Sequence, residues 1–364
     1  MKNTFGTSLT LTLFGESHGT SIGAVLDGLA PGIKIDEEYI NEKLSLRRPV
    51  GKISTPRKEE DPVFFESGVF NGYTTGTPLC IRIPNSNTRS KDYSETRFLA
   101  RPSHADFTAY EKYHGFEDWR GGGHFSGRIT AAVVAAGAII MHALEEKGIF
   151  IGTHIKRCAG IDDAPFSDNV LNDIKALSKK TFAVLSDENG EAMQKNIVSA
   201  LKSHDSVGGV LETAIVGMPA GVGEPFFDSL ESLISHAVFS IPAIKGIEFG
   251  AGFGISDMKG SEANDPFRIA DGKIFTITNN SGGINGGISN GMPIVFRTAV
   301  RPTPTIGLEQ DTVDMSKNEN AKLSAKGRHD PCIVHRARIV QDCITALVIY
   351  DAMAARLGTD WAVK

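Results

Sequence analysis

Histidine and arginine recur in this chain within short segments bearing glycine or proline, a combination suited to proton transfer and anion binding. Residues 15–19, GESHG, carry Ser17 and His18, and residues 101–106, RPSHAD, set Arg101 and His104 near Asp106. Residues 120–128, RGGGHFSGR, add His124, Phe125, Ser126 and Arg128, and residues 326–332, KGRHDPC, group Lys326, Arg328, His329 and Asp330. Histidine, with an unperturbed pKa of about 6.5, is the usual acid or base near neutrality. The planar guanidinium fork suits carboxylate and phosphate, and the RRP segment supplies two more, Arg47 and Arg48.

Each segment has a plainer reading. GESHG fits the G-x-S-x-G elbow of serine hydrolases, but that elbow requires a helix directly after the serine. Residues 20–26 read as a strand, which favours a polar turn and leaves a hydrolase using Ser17 as an alternative. RPSHAD alone also reads as a capped loop with a surface histidine. RGGG before a helix would expose N–H groups to an anion at the positive helix end, with Ser126 and Arg128 as further donors; an ordinary helix start is the alternative. It is not a Walker A loop, since no Gly-Lys-Ser/Thr follows. GGINGGISNG, residues 282–291, lies between two strands without the dinucleotide fingerprint. It is either a hairpin loop or a backbone that approaches a flat ligand. Asp330 could simply cap the helix that follows it. Arg47 and Arg48 end a helix, where cations are favoured anyway. Lys52, Arg57 and Lys58 run into Glu59, Glu60 and Asp61 and read as a solvated charge run. His18, His104, His124, His329 and Asp330 could ligate a metal, but HExxH, CxxC and close histidine spacing are missing, so no metal is expected.

These segments need a scaffold. The chain has 364 residues with 41% hydrophobic and 22% charged content, enough for a sizeable core and against disorder. A net charge of −5 gives no bulk attraction to nucleic acid or membrane, so an anionic substrate needs a local basic site. Glycine is abundant, 39 residues, against a usual share of about 7%. The four cysteines are expected to be reduced and buried in a cytoplasmic protein. Alternation predicts strands over 9–13 and 22–26, joined through GESHG, and further strands over 79–83, 149–155, 209–216, 273–278 and 294–300. Asp36 should cap a helix that ends near RRP. A long small-residue helix should run from RGGG through Leu144, and further helices over 190–204, 227–239 and 336–357. The order lacks steady β-α alternation, which disfavours Rossmann and TIM-barrel folds. One compact α+β domain spanning 1–364 is expected.

Taken in order, the segments FGESHG, RRP, DPVFFESGVF, TTGTPL, DYS, RPSHADFT, RGGG, VAAGAI, DSVGG, FDSL, KGIEFGAGF, GGINGGISNG, PTPTI and KGRHDPC resemble the chorismate synthase family from end to end. The resemblance implies a β-α-β sandwich with helices between two antiparallel sheets, assembled as a homotetramer. It implies a 1,4-anti elimination of phosphate from 5-enolpyruvylshikimate 3-phosphate, with reduced FMN required although no net redox change occurs. It implies His18 as the acid for departing phosphate, His104 as the histidine that protonates the flavin, and Asp330 as the carboxylate beside flavin N5. Ser17 and Ser126 would tune the site, and Arg47, Arg48, Arg101, Arg128 and Arg328 would hold substrate anions. Flavin contacts would fall on His124, Phe125, Ser126, Pro242, Ala243, Gly286, Arg301, Pro302, Thr303, Pro304, Thr305 and Arg328. Several depart from the family pattern: His124 and Phe125 replace Arg-Ser, Pro242 replaces Asn, Arg301 replaces Lys, Ile53 replaces a common basic residue and Val50 a glycine. A non-catalytic flavin- or phosphate-binding protein is the remaining alternative. No added reductase module is visible, so an external flavin reductase is expected, with NADPH as indirect reductant; intrinsic NADPH-dependent reduction is the other possibility.

Overall fold

The computed structural model describes residues 2–49, 51–54, 60–86, 97–324 and 330–363, without the Lys52 side chain. Val50, Arg57, Lys58, Glu59, the DYS segment at 92–94, Lys326, Arg328 and His329 lie outside the described residues.

The first sheet forms from β1 (Thr4–Phe5), β2 (Thr10–Gly15), β3 (Ser21–Asp27) and β4 (Phe64–Ser67). A small hairpin follows, β5 (Val69–Phe70) and β6 (Tyr73–Thr74), before β7 (Leu79–Pro84) completes that sheet. Its order is β1-β2-β3-β7-β4, antiparallel throughout. The second sheet, β11-β16-β10-β8-β9, is also antiparallel. It takes β8 (Phe150–Cys158), β9 (Ile161–Asp162), β10 (Gly209–Val216), β11 (Ile244–Phe249) and β16 (Ile294–Val300). Among the described residues, three further hairpins besides β5–β6 sit outside the sheets: β12 (Phe267–Ala270) with β13 (Lys273–Thr276), β14 (Ile284–Asn285) with β15 (Ile288–Ser289), and β17 (Gln310–Asp314) with β18 (Glu319–Leu323). Helices are α1 (Glu37–Arg47), α2 (Asp106–Tyr113), α3 (Thr130–Glu146), α4 (Val170–Leu177), α5 (Asp187–Lys202), α6 (Leu230–Val238), α7 (Gly260–Ala263) and α8 (Val334–Leu357).

Helices α3 and α8 pack on each other between the sheets: α3 contacts β3 and β7, and α8 contacts β8 and β10. This is the expected sandwich. Residues Gly127–Glu146 have the length and apolarity of a membrane span, but 78% of that window is buried inside the protein. The stretch is core. Small side chains allow the close crossing, and at Gly137 an added Cβ would sit 2.7 Å from Cys343 Cα. Asp342 and Gln341 on α8 are buried but paired: Asp342 accepts from Thr153 Oγ1 at 2.5 Å, and Gln341 joins Thr213 and Thr298 at 2.7 Å each. Asp351 accepts from the backbone N–H groups of Ser8 and Leu9 at 2.7 and 2.8 Å, which ties the β1–β2 turn to the same helix. Each bond removes the cost of burying an unpaired polar group.

Most expected elements lie where the pattern put them, including the Asp36 cap, whose side chain accepts from Tyr39 N. Two expectations change. Cys80 is only half-buried, because β7 turns it to the less covered face of its sheet; the other three cysteines are buried, and all four are free. RGGG does not open α3: Gly121, Gly122 and Gly123 have positive φ, which breaks the helix and leaves six residues before Thr130. Gly137→Ala should lower stability by about 1–3 kcal/mol through overpacking, against a helix-propensity gain of up to about 1 kcal/mol. Urea unfolding of the variant checks this, and undiminished stability would contradict the crossing described.

Candidate active site

GESHG is the turn between β2 and β3, so Ser17 is followed by a strand and the hydrolase elbow is absent. The 120–123 loop lies directly on this turn. Ser17 N donates to Gly123 O at 3.1 Å, and Ser17 Oγ lies 3.1 and 3.2 Å from the carbonyls of Arg120 and Gly121. Those carbonyls only accept, so they take the hydroxyl proton, and His18 Nδ1, 3.1 Å away, then donates to Oγ. This is the reverse of an activated nucleophile. A Cβ on Gly121 would collide with the His18 ring and approach Ser17 Oγ to 2.9 Å. A Cβ on Gly122 would lie 3.4 Å from His104 Cε1, 3.6 Å from its Nε2 and 3.8 Å from Ser126 Cβ. Four of the five expected catalytic residues, Ser17, His18, His104 and Ser126, thus meet around two glycines.

His104 is oriented from behind. Its Nδ1 lies 2.7 Å from Asp106 Oδ1, which makes Nδ1 a donor and leaves Nε2 as the nitrogen nearer Gly122. Arg101 grips the same carboxylate twice, at 2.7 Å from Nε and Nη2, so two of its nitrogens serve Asp106. Burial pushes the Asp106 carboxyl up, but hydrogen bonds and charge from Arg101 and His104 hold it well below the usual carboxylate range.

Arg47 and Arg128 come together on Asp61, a residue that sequence reasoning placed in a solvated run. Asp61 is 1% exposed and accepts from Arg47 Nη2 at 3.2 Å and from Arg128 Nη1. Burial opposes its ionisation, yet the two guanidinium groups keep its pKa low. Arg48 is half-buried, and its Nε has no hydrogen-bond partner among the described residues. Ile53 is buried.

Asp330 does not cap α8. The N-cap is Ile333, and Asp330 instead accepts from Arg336 Nη1 at 2.7 Å while Arg336 Nε donates to Arg47 O at 2.7 Å. The carboxylate is thereby joined to the Arg47–Asp61–Arg128 cluster. Val207 N donates to Pro331 O at 2.8 Å and Ser206 Oγ to Thr303 O at 2.7 Å, which brings the 301–305 segment beside Asp330. Arg301 N donates to Ala243 O at 3.0 Å, so Pro242 and Ala243 join this side. Arg301 Nε and Thr303 Oγ1 are buried with no partner among the described residues, the donor set that an anionic cofactor end would satisfy. Pro304 and Thr305 continue toward β17. His124 Nδ1 donates to Gly15 O at 2.8 Å and pins the glycine loop to β2, while Phe125 is 40% exposed beside Tyr113. Gly286 stands apart at the exposed β14–β15 tip, and no described hydrogen bond joins that hairpin to either histidine. Arg328 lies outside the described residues. Among the described residues no cluster of three or more His, Cys, Asp or Glu is placed to hold a metal ion.

The model of one family, chorismate synthase, matches residues 9–354. The chain belongs to the chorismate synthase family. The chorismate synthase of Chitinophaga pinensis is 46% identical over 351 residues, covering 96% of each chain. That of Thermococcus kodakarensis is 42% identical over 359 residues, covering 99% of each. A crystal structure of chorismate synthase superposes with a TM-score of 0.77 at 28% identity, covering 98% of this chain and 94% of the other. The resemblance in the segments at 15–19, 101–106 and 120–128 therefore belongs to a family likeness over the whole fold.

The Asp106 pairing has a pH signature. A depressed folded-state pKa contributes stability above the unfolded value of about 3.9, and that contribution is lost as pH falls. Asp106→Asn should cost about 1–3 kcal/mol at pH 7, and the gap from the parent should shrink as pH drops below about 4. Unfolding curves from pH 7 to pH 2 test this; a gap that stays constant would mean the loss is not electrostatic.

Proposed function

We propose that the chain is a carbon–oxygen lyase that converts 5-enolpyruvylshikimate 3-phosphate to chorismate by 1,4-anti elimination of phosphate and a ring hydrogen, in the shikimate pathway of aromatic amino-acid biosynthesis. One observation carries the reading: in a chain of this family, His18 and His104 meet at Gly121 and Gly122, with the Arg128–Asp61–Arg47 cluster bonded to the same loop through Gly127 O. Reduced FMN, when bound, would lend an electron to the substrate and recover it, so the reaction is redox-neutral. Arg301 and Thr303, with their unpartnered buried atoms, suit its anionic end.

The chain's own residues do the rest. Arg47 and Arg128 set fixed positive charge where phosphate and carboxylate bind, which lowers the cost of charge that develops on the leaving group. His18 gives its proton to the departing phosphate as the C–O bond breaks. Asp106 holds the proton on His104 Nδ1, so Nε2 would be the nitrogen available to exchange a proton with a bound flavin. Asp330, held by Arg336 at 2.7 Å, would be the carboxylate that takes up or returns a proton beside a bound flavin. We place the protein in the cytoplasm and supply its reduced flavin from an external flavin reductase fed by NADPH. The exposed apolar face of the β12–β13 hairpin, with Phe267 60%, Ile269 74% and Ile274 65% exposed, supports assembly with further copies, as a homotetramer. Light scattering should report four chains, and a monomer at working concentration would refute this.

In anaerobic turnover with reduced FMN, chorismate and phosphate should accumulate far beyond the flavin supplied. One product per flavin oxidised would defeat the reading. His18→Ala should lower kcat by about 10²–10⁴ with a smaller change in KM. Arg128→Ala and Arg47→Ala should each weaken substrate binding about ten- to hundredfold, since a charge-assisted bond is worth about 1.5–3 kcal/mol. Calorimetry that showed unchanged affinity in both would contradict the arginine assignment.

A further inference from the structure

Asn85 directly follows β7 and touches both halves of the site. Its Oδ1 accepts from Arg128 Nε at 3.1 Å, and its Nδ2 donates to Glu16 O and Gly19 O, each at 2.9 Å. Its backbone N donates to Thr20 O at 3.1 Å. The carboxamide can face only one way, because a guanidinium only donates and the two carbonyls only accept. The bridged carbonyls are the two ends of the turn that carries Ser17 and His18, a turn closed on itself by Gly19 N to Glu16 O at 3.0 Å. On its other flank the turn rests on Gly123. Arg128 is held in turn by Asp61 and by Pro84 O at 3.2 Å.

From this geometry we infer that Asn85 is a positioning residue: it fixes the His18 turn relative to the anion-binding Arg128. Catalytic groups must be held to about 0.5 Å, and a misplacement of about 1 Å can cost about 10²-fold in rate. The inference rests on the proposed role of His18 as proton donor. A side chain that acts through His18 should lower the rate of phosphate release and should do so only while His18 is present.

Asn85→Asp is the direct test, since it keeps the shape and the acceptor toward Arg128 but turns an oxygen on the two carbonyls. Single-turnover phosphate release with reduced FMN should slow at least about tenfold while KM stays within about threefold. In a His18→Ala background the same change should add no further loss, because coupled residues are not additive. A rate within about threefold of the parent, or an equal loss in both backgrounds, would overturn the inference. An unslowed His18→Ala single variant would instead overturn the reading of His18 on which the inference rests. Should Asn85→Asp fail to fold, Asn85→Ala is read in the same cycle, with KM also rising because Arg128 loses a partner.

Discussion

No side chain fits at Gly121. The residue has φ +59°, and an added Cβ would collide with the His18 ring. Gly122, at φ +86°, lies under His104 and Ser126. The rest of the site follows from this close approach. The β2–β3 turn, the loop before α2 and the glycine loop ahead of α3 come from three distant parts of the chain, and they share one small volume because bare backbone separates them. Positive φ at three consecutive glycines makes the loop turn there, at an entropic cost that other residues could not match without strain.

A second regularity governs the charges. Five arginines around the site sit on carboxylates: Arg101 on Asp106, Arg120 on Asp118, Arg47 and Arg128 on Asp61, and Arg336 on Asp330. A buried guanidinium needs such a partner, since an uncompensated buried charge costs several kcal/mol. Two arginines on one aspartate leave a local excess of positive charge, which answers the requirement set by an overall charge of −5. The same pairing fixes each fork in one orientation, so an arriving anion meets donors that have already lost their freedom.

Regular elements were largely legible because alternation and capping are local. β10 and β16 fall at 209–216 and 294–300 as the alternation predicts, and Asp36 caps α1. Boundaries that depend on backbone conformation were not. The small residues after RGGG look helical, yet three left-handed glycines delay α3 to Thr130. Partners far apart in sequence were invisible too. Asp61 sits in a run of acidic residues, and nothing local announces that it pairs with Arg128, 67 residues away. Asp330 looked like a helix cap because its place before α8 allows it; the choice of Arg336 depends on where the first turn of α8 points. The histidines and arginines of the site were found by residue type and resemblance, while Asn85 carries no sequence signal beyond its position after a strand.

The central claim is that the two histidines and the arginine cluster surround one bound substrate. A crystal structure of the chain with 5-enolpyruvylshikimate 3-phosphate and FMN measures this most directly. The account predicts the substrate phosphate within hydrogen-bond distance of His18 and of an arginine from the Arg47–Arg128 pair, with His104 facing the flavin. Substrate density away from the Gly121–Gly122 loop, with His18 contacting neither phosphate nor ring, would contradict it.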